Sequence, residues 1–380
     1  MEQIGVMQKH STRAAFFISG FAAASWAPLV PILRERLFIE EDLLGILLLC
    51  IGIGSLLTMP IAGTLASRFG CRKVLTISSV IIAGLLLILC KVSIFWLTVP
   101  IVLLFGAIMG CIDVVMNIQS VIVEKAVKHQ IMSGMHAMYS VGGFIGAGLF
   151  GIWVGLLKLS PFQSTLISAA IILAIIWKFS KHLIAEGGGG KSNKLIAIPK
   201  GVLVFIGLIA MISYLVEGAI MDWSGVFLTI TKGFDISVAG TGFAMFSAAM
   251  LIMRFVGDSL VQNFGSKFVV LSGCVIALAG FLLLIFSDSQ TILFAGFFLI
   301  GIGCANIVPV FFSMLGRQKI MPVNMAIPAV STLGYLGILM GPAVIGFIAK
   351  ATSLYFSFGL LAILVVAEIV IANYVFKKMS

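Results

Sequence analysis

Residues 45–70 read GILLLCIGIGSLLTMPIAGTLASRFG, and residues 240–265 read GTGFAMFSAAMLIMRFVGDSLVQNFG. Each stretch is mostly apolar, begins at a glycine and ends at a glycine, and the two lie 195 positions apart. Further glycines repeat at the same offset, with Gly142, Gly146 and Gly151 matching Gly337, Gly341 and Gly346. An offset that holds over several segments predicts two homologous halves, a layout in which a solute usually binds between the halves.

The composition places the chain in the membrane class. Hydrophobic residues make up 61% of the 380 positions and charged residues 10%, with a mean hydropathy of +1.21. Soluble domains are roughly 45–50% apolar and about 25% charged. The net charge of +10 does not indicate nucleic acid, because the basic residues recur between apolar segments instead of forming one patch. Membrane lipids are therefore the expected surroundings.

Apolar stretches long enough to cross a bilayer core of about 30 Å can be counted along the chain. There are twelve, near 14–34, 43–66, 73–92, 95–120, 133–157, 161–182, 201–230, 238–262, 267–287, 291–315, 324–349 and 354–376. The fold class is predicted to be an all-α membrane protein with twelve transmembrane helices in two homologous six-helix bundles.

A polar segment separates the two sets of six. It reads KHLIAEGGGGKSNK from Lys181 to Lys194, and its glycines and lysines are typical of a flexible linker. We predict an N-terminal bundle over 1–183, a cytoplasmic linker over 184–200 and a C-terminal bundle over 201–380.

The basic residues predict the orientation. With the N-terminus in the cytoplasm, 17 of the 24 Lys and Arg residues lie inside, six lie outside, and Arg254 is within a helix. The positive-inside rule then places both termini in the cytoplasm. The chain is expected to act as a monomer in a bacterial inner membrane.

The turn after the second apolar stretch carries a recognisable motif. GTLASRFGCRKVL, residues 63–75, resembles the G-x-L-a-D-r-x-G-r-[RK] motif of the major facilitator superfamily. The matching residues are Gly63, Leu65, Ala66, Arg68, Gly70, Arg72 and Lys73. Ser67 replaces the acidic residue that helps to latch the cytoplasmic side in that family. The resemblance implies a gating role for this motif, and we group Asp258, from MRFVGD in the second half, with it.

Several stretches resemble a narrower bacterial branch of the family, related to fucose-permease-like sugar porters. These are ASWAPLVP, VVMNIQSVIVEK, MHAMYSVGGFIGAG, EGAIMDWSGVFL, MRFVGD and STLGYLGILMGPAVIGF. The resemblance implies alternating access around a central cavity but names no solute. Many drug–proton antiporters carry Gly-Pro in the fifth helix, whereas this chain has Gly146-Ala147, which counts weakly against drug efflux.

Three titratable side chains are candidates for proton coupling. Glu217 is about 14 residues, or roughly 21 Å, from the predicted start of its helix, near the bilayer centre. Apolar surroundings favour the neutral form of a carboxyl group there. The alternative is a carboxylate held by a neighbouring donor. Asp113 is the second candidate, and His136 is either a proton relay or a packing histidine.

The remaining polar and aromatic candidates are assigned to solute binding. Asp222 either binds solute or ties its helix to a neighbour, and Trp223 either stacks on a sugar ring or anchors the helix at the interface. Arg254 either pairs with Asp258 one turn away or meets a substrate carboxylate or a carboxylate of the other half. The other candidates are Asn117, Asn306, Trp26 and Tyr139. Glu368, in the last helix, is predicted to be peripheral.

The predicted function is secondary active transport of a small polar solute, a sugar or an organic-acid-like molecule, coupled to protons. The alternative is a proton-antiport exporter of drugs or metabolites. A channel is disfavoured by the twofold repeat with asymmetric charges. An enzyme or an ATP-driven pump is disfavoured because the four histidines are scattered and GGGGK lacks the strand and GK[ST] ending of a nucleotide-binding loop. The six cysteines form no CxxC pair, so neither a metal site nor a cofactor is expected.

Overall fold

The computed structural model describes residues 5–188 and 196–379, with the side chains of residues 41, 42 and 342 left undescribed. These residues form helices and the turns between them. The α-helices are α1 Val6–Trp26, α2 Leu29–Leu37, α3 Glu41–Leu89, α4 Phe95–Val127, α5 Met132–Gly151, α6 Pro161–Phe179, α7 Val202–Val226, α8 Thr241–Phe264, α9 Ser266–Phe286, α10 Gln290–Cys304, α11 Ile307–Leu315, α12 Val323–Ala351 and α13 Leu354–Met379. Single π-helical turns, Ile152–Leu156 and Phe227–Thr231, extend α5 and α7.

Within residues 5–188 and 196–379, eleven helical segments are long and apolar enough to cross a membrane. The prediction of an all-α membrane protein is confirmed at this level. The longest segment, Leu43–Leu89, contains one non-helical residue, Gly70, at φ 82° and ψ 152°. Gly265, between α8 and α9, has φ 82° and ψ 153°. The two glycines related by the 195-residue offset therefore share one backbone conformation.

The first compact unit comprises the described parts of Met1–Lys128 and Met135–Ile198, together with Pro322–Pro328. Its core lies where α3 packs against α4 and where α1 packs against α4 and α6. Glycines permit close contact, because a side chain at Gly106 of α4 would meet the backbone of Ile51 in α3. Phe16 and Phe21 of α1 are fully buried.

The second compact unit comprises His129–Gly134, Pro199–Met321 and Ala329–Ser380, of which Ser380 is not described. Its main contacts join α9 to α10, α8 to α10, and α13 to α9 and α7. The α9–α10 contact brings Gly273 against the backbone of Gly303. Small residues at helix–helix contacts let the two backbones approach closely without a polar driving force.

The segment that follows α6 differs from the flexible linker that its glycines predict. Leu183 and Ile184 are buried, and the carbonyl of Ile184 accepts a hydrogen bond of 2.8 Å from the backbone N–H of Arg72. The carbonyl of Glu186 accepts one of 3.3 Å from the N–H of Cys71. We call residues 183–188 the strap. It is packed because these backbone groups pair with the turn after Gly70, while residues 189–195 lie outside the described part of the chain.

Candidate functional site

An ion pair between α7 and α8 is the centre of the candidate site. Nη2 of Arg254 lies 3.8 Å from Oε2 of Glu217. The Arg254 side chain is 9% exposed and the Glu217 side chain 33% exposed. A guanidinium is always charged and needs acceptors when buried, so Glu217 compensates Arg254. The carboxylate of this ion pair comes from the same half of the chain as Arg254.

The helix break between α10 and α11 supplies a second acceptor for Arg254. In a continuous helix the carbonyl of Ala305 would accept from the N–H of residue 309, but Pro309 has no N–H. Nε of Arg254 donates to this carbonyl over 3.4 Å. The segment 291–315 was predicted as a single helix, but it is interrupted at Ala305, and the freed carbonyl of Ala305 contacts the Arg254 guanidinium. Broken helices whose backbone groups contact ions are typical of transporter binding sites.

Asn306 lies in the break and is hydrogen-bonded to α8 through its side-chain amide. Its Nδ2 donates to the carbonyl of Met253 over 3.1 Å. Its Oδ1 is buried without a hydrogen-bond partner among the described residues. Gly257 of α8 is required here, because a Cβ at that position would overlap Asn306 Oδ1. The structure therefore brings together three predicted site residues, Glu217, Arg254 and Asn306.

The outer part of α7 is arranged differently. Asp222 is exposed, and Trp223 packs its indole against α12 at Gly346, where an added Cβ would lie 2.8 Å from the ring. The packing of Trp223 on a helix favours a structural role over sugar stacking.

In the first unit, Asp113 and Asn117 share one face of α4 as their spacing predicts. Asn117 is buried, and its Nδ2 donates to the backbone carbonyl of Asp113 over 2.9 Å. Its Oδ1 has no hydrogen-bond partner among the described residues, and Asp113 is partly exposed. The Asp113 carboxyl thus remains available as a candidate.

Three further candidates of the first unit take part in helix packing. The His136 ring lies 5.3 Å from the Phe16 ring in an edge-to-face arrangement, and the Trp26 ring lies 5.5 Å from the Phe105 ring. Tyr139 is partly exposed, and its backbone carbonyl is the group that a side chain at Gly20 would meet. These contacts favour the packing interpretation of His136.

Two residues of the predicted gating motif, Gly70 and Arg72, contact the strap. Nε of Arg72 donates to the carbonyl of Leu183 over 2.8 Å, and a Cβ at Gly70 would overlap the carbonyl of Ala185. A Cβ at Gly63 would overlap the carbonyl of Asn324, so the first turn of α12 approaches α3 closely. Arg68 and Lys73 are exposed.

Asp258 has partners that its sequence spacing does not suggest. Its Oδ1 accepts from the backbone N–H of Ser133 and its Oδ2 from that of Gly134, each over 2.9 Å. These N–H groups belong to the first turn of α5, whose positive dipole end favours an anion. Asp258 therefore holds a helix N-terminus within the second unit.

The prediction that Glu368 is peripheral is wrong. Its side chain is 1% exposed, and the Ser213 hydroxyl of α7 donates to its Oε1 over 2.6 Å. The signal available in the sequence was the single charge in the middle of an apolar helix, a position that usually marks a functional residue.

Comparison with known proteins identifies the family. A model of the Major Facilitator Superfamily matches residues 14–204 and 203–379. An uncharacterized MFS-type transporter of Yersinia pestis is 42% identical over 364 residues, which cover 95% of this chain and 94% of that protein.

Two solved structures share the fold at low identity. The Escherichia coli fucose:proton symporter FucP aligns with a TM-score of 0.77 at 16% identity, over 97% of this chain and 98% of that one. The human organic anion transporter MFSD10 aligns with a TM-score of 0.76 at 16% identity, over 96% and 99%. With the family model and the Yersinia relative covering nearly all of its length, the chain belongs to the Major Facilitator Superfamily, whose members are transporters and not enzymes.

Proposed function

We propose that the protein is a secondary active transporter that moves a small polar solute, a sugar or an organic-acid-like molecule, across the bacterial inner membrane by alternating access. Proton coupling is assigned to Glu217. The observation that carries this proposal is the Glu217–Arg254 ion pair beside the break between α10 and α11.

The ion pair gives protonation a direct effect on solute binding. A proton on Glu217 removes the negative charge that compensates Arg254, while the guanidinium stays charged. The positive charge of Arg254 is then less compensated, which favours a solute oxygen next to the Ala305 carbonyl. Proton and solute therefore bind with positive coupling, and by linkage each raises the affinity for the other.

The proposed topology has twelve crossings. At 1.5 Å per residue, the 49 residues of α3 would extend about 70 Å, more than twice the thickness of the bilayer core. The non-helical Gly70 divides α3 into two crossings. The halves 1–183 and 201–380 then contain six crossings each, with both termini in the cytoplasm and the chain acting as a monomer.

The alternative is a proton-antiport exporter of drugs or metabolites. The fucose:proton symporter and the organic anion transporter that share this fold carry different solutes, so the fold leaves the solute class open. A buried guanidinium suits an oxygen-rich or anionic solute better than an apolar drug.

The solute is identified first by thermal shift. Anything that binds the folded state raises its apparent stability, and the screen should include sugars, organic acids, amino acids and amphipathic drugs. Saturable flux and counterflow in proteoliposomes then separate a carrier from a channel, and the sign of the proton movement separates symport from antiport.

The variant Glu217→Gln tests proton coupling directly. It keeps the side-chain shape but fixes a neutral group, so we expect it to abolish accumulation driven by a pH gradient while solute counterflow continues. Glu186→Gln, at an exposed strap carboxyl, is the matched control. If Glu217→Gln accumulates the solute as well as the wild-type protein, the coupling role of Glu217 is wrong and Asp113 becomes the residue to test.

A further inference from the structure

The mechanism proposed above does not use the buried carboxyl group of Glu368. Glu368 is 14 residues from the start of α13, about 21 Å along the helix, and its side chain is 1% exposed. Its hydrogen-bond partner is the neutral hydroxyl of Ser213, at 2.6 Å. Among the described residues no lysine, arginine or histidine forms an ion pair with it.

An ionised carboxyl group in this environment would be expensive. Burying a charge without a counter-charge costs several kcal/mol, and the usual outcome is that the group becomes neutral. A neutral carboxylic acid has one donor and one carbonyl acceptor, and a serine hydroxyl can pair with either. Ser213 therefore suits the protonated form of Glu368 and tolerates the ionised one.

The groups that face Glu368 from the surrounding helices are few. α7 contributes Ser213, α9 contributes Cys274, and α10 contributes Cys304, and both thiols are in electrostatic reach of Glu368. Buried free thiols behave as small hydrophobic groups. Lys232, beyond the π-helical turn that contacts α13, pairs with Asp288 at 2.9 Å.

The same neighbourhood connects Glu368 to the ion pair. Cys304 is in electrostatic reach of Glu217 and Arg254 as well as of Glu368. Ser213 and Glu217 are four residues apart, so they occupy one face of α7, one turn from each other. Because Ser213 bonds to Glu368 and lies one turn from Glu217, a change of charge at the ion pair acts on Glu368 over a short distance.

We propose that Glu368 is a second proton-binding site, hydrogen-bonded by Ser213 and coupled across one turn of α7 to the Glu217–Arg254 pair. The ligand is a proton, which converts the Glu368 carboxylate to the neutral acid. The coupling to Glu217 rests on the proposed function, whereas proton binding at Glu368 does not.

Infrared difference spectroscopy of the purified protein in lipid tests proton binding without any solute. Protonated carboxyl groups have a carbonyl stretching band that carboxylates lack. Between neutral and alkaline pH, where exposed carboxyl groups stay ionised, we expect such a band in the wild-type protein, a lower amplitude in Glu368→Gln, and the wild-type amplitude in the exposed control Glu186→Gln. A band of unchanged amplitude in Glu368→Gln overturns the proposal.

Ser213→Ala supplies a second readout if Glu368→Gln folds poorly. Removing the hydroxyl donor should move the carbonyl band to higher frequency, and an unmoved band contradicts the hydrogen-bonded acid.

Glu217→Gln tests the coupling. It removes a nearby negative charge, which favours the ionised form of Glu368. The band should therefore disappear at a lower pH than in the wild-type protein. If the pH at which half of the band is lost does not change, the coupling is refuted but proton binding at Glu368 is not. Neither result depends on whether Glu217→Gln accumulates solute.

Discussion

At the scale of single residues, two acceptors serve Arg254. Pro309 frees the carbonyl of Ala305 because it has no N–H, and Glu217 supplies a carboxylate. Removing the cation leaves a carboxylate without its counter-charge. We expect Arg254→Met to lower the free energy of unfolding by about 2 kcal/mol, below the 3–5 kcal/mol typical of fully buried pairs, because Glu217 stays one-third exposed.

Thermal unfolding in detergent measures this change. Adding Glu217→Gln to Arg254→Met should recover part of the loss, since the uncompensated carboxylate is then absent. Lys267→Met, at an exposed cation of the same unit, is the control. If Arg254→Met is as stable as the wild-type protein but loses solute binding, the guanidinium serves the solute rather than the fold.

The residues of the candidate site were singled out one by one, but their grouping was not predicted. Glu217, Arg254 and Asn306 stand out because they are polar within apolar stretches, where polar groups are expensive. Their meeting depends on how α7, α8 and the α10–α11 break pack, which local spacing does not encode. Spacing placed Asp258 one turn from Arg254 but did not indicate its bonds to the N-terminus of α5. It gave no partner for Glu368, because Ser213 lies 155 residues away.

At the scale of helices, Gly70 and Gly265 offer a matched pair. Both have a φ of 82° with ψ near 150°, a region that costs a residue with a side chain about 1–3 kcal/mol. A Cβ at Gly265 meets nothing within 4 Å, whereas one at Gly70 overlaps the strap at Ala185. We therefore expect Gly265→Ala to lower thermal stability moderately and Gly70→Ala to lower it further. Equal losses would mean that the strap contact contributes nothing.

The approximate positions of the apolar helices were predictable, whereas their interruptions were not. Length and apolarity locate the segments because a bilayer fixes both. The break at Ala305–Asn306 was missed because the run 291–315 is mostly apolar, although Pro309 marks a missing N–H. The packed strap was missed because its glycines are typical of flexible linkers, yet Gly187 lies directly against the backbone of Ala66.

At the scale of the whole molecule, the basic residues predict which ends of the helices face the cytoplasm. In a cysteine-free background, Lys181→Cys should react with an impermeant thiol reagent only after the membrane is permeabilised. Ser289→Cys, between α9 and α10, should react in intact spheroplasts. Both positions are exposed. The reverse pattern would invert the orientation.

The close approach of Gly63 to Asn324 has a consequence for synthesis on the ribosome. The strap leaves the ribosome soon after the first six predicted crossings and can pair at once with the turn at Gly70. The first unit also includes Pro322–Pro328, which is made more than a hundred residues later. Asn324 is made 261 residues after Gly63, and at a translation rate of about 5–20 residues per second this interval is roughly 13 to 52 s. For that time, the backbone surface at Gly63 waits for a helix turn that has not yet been translated.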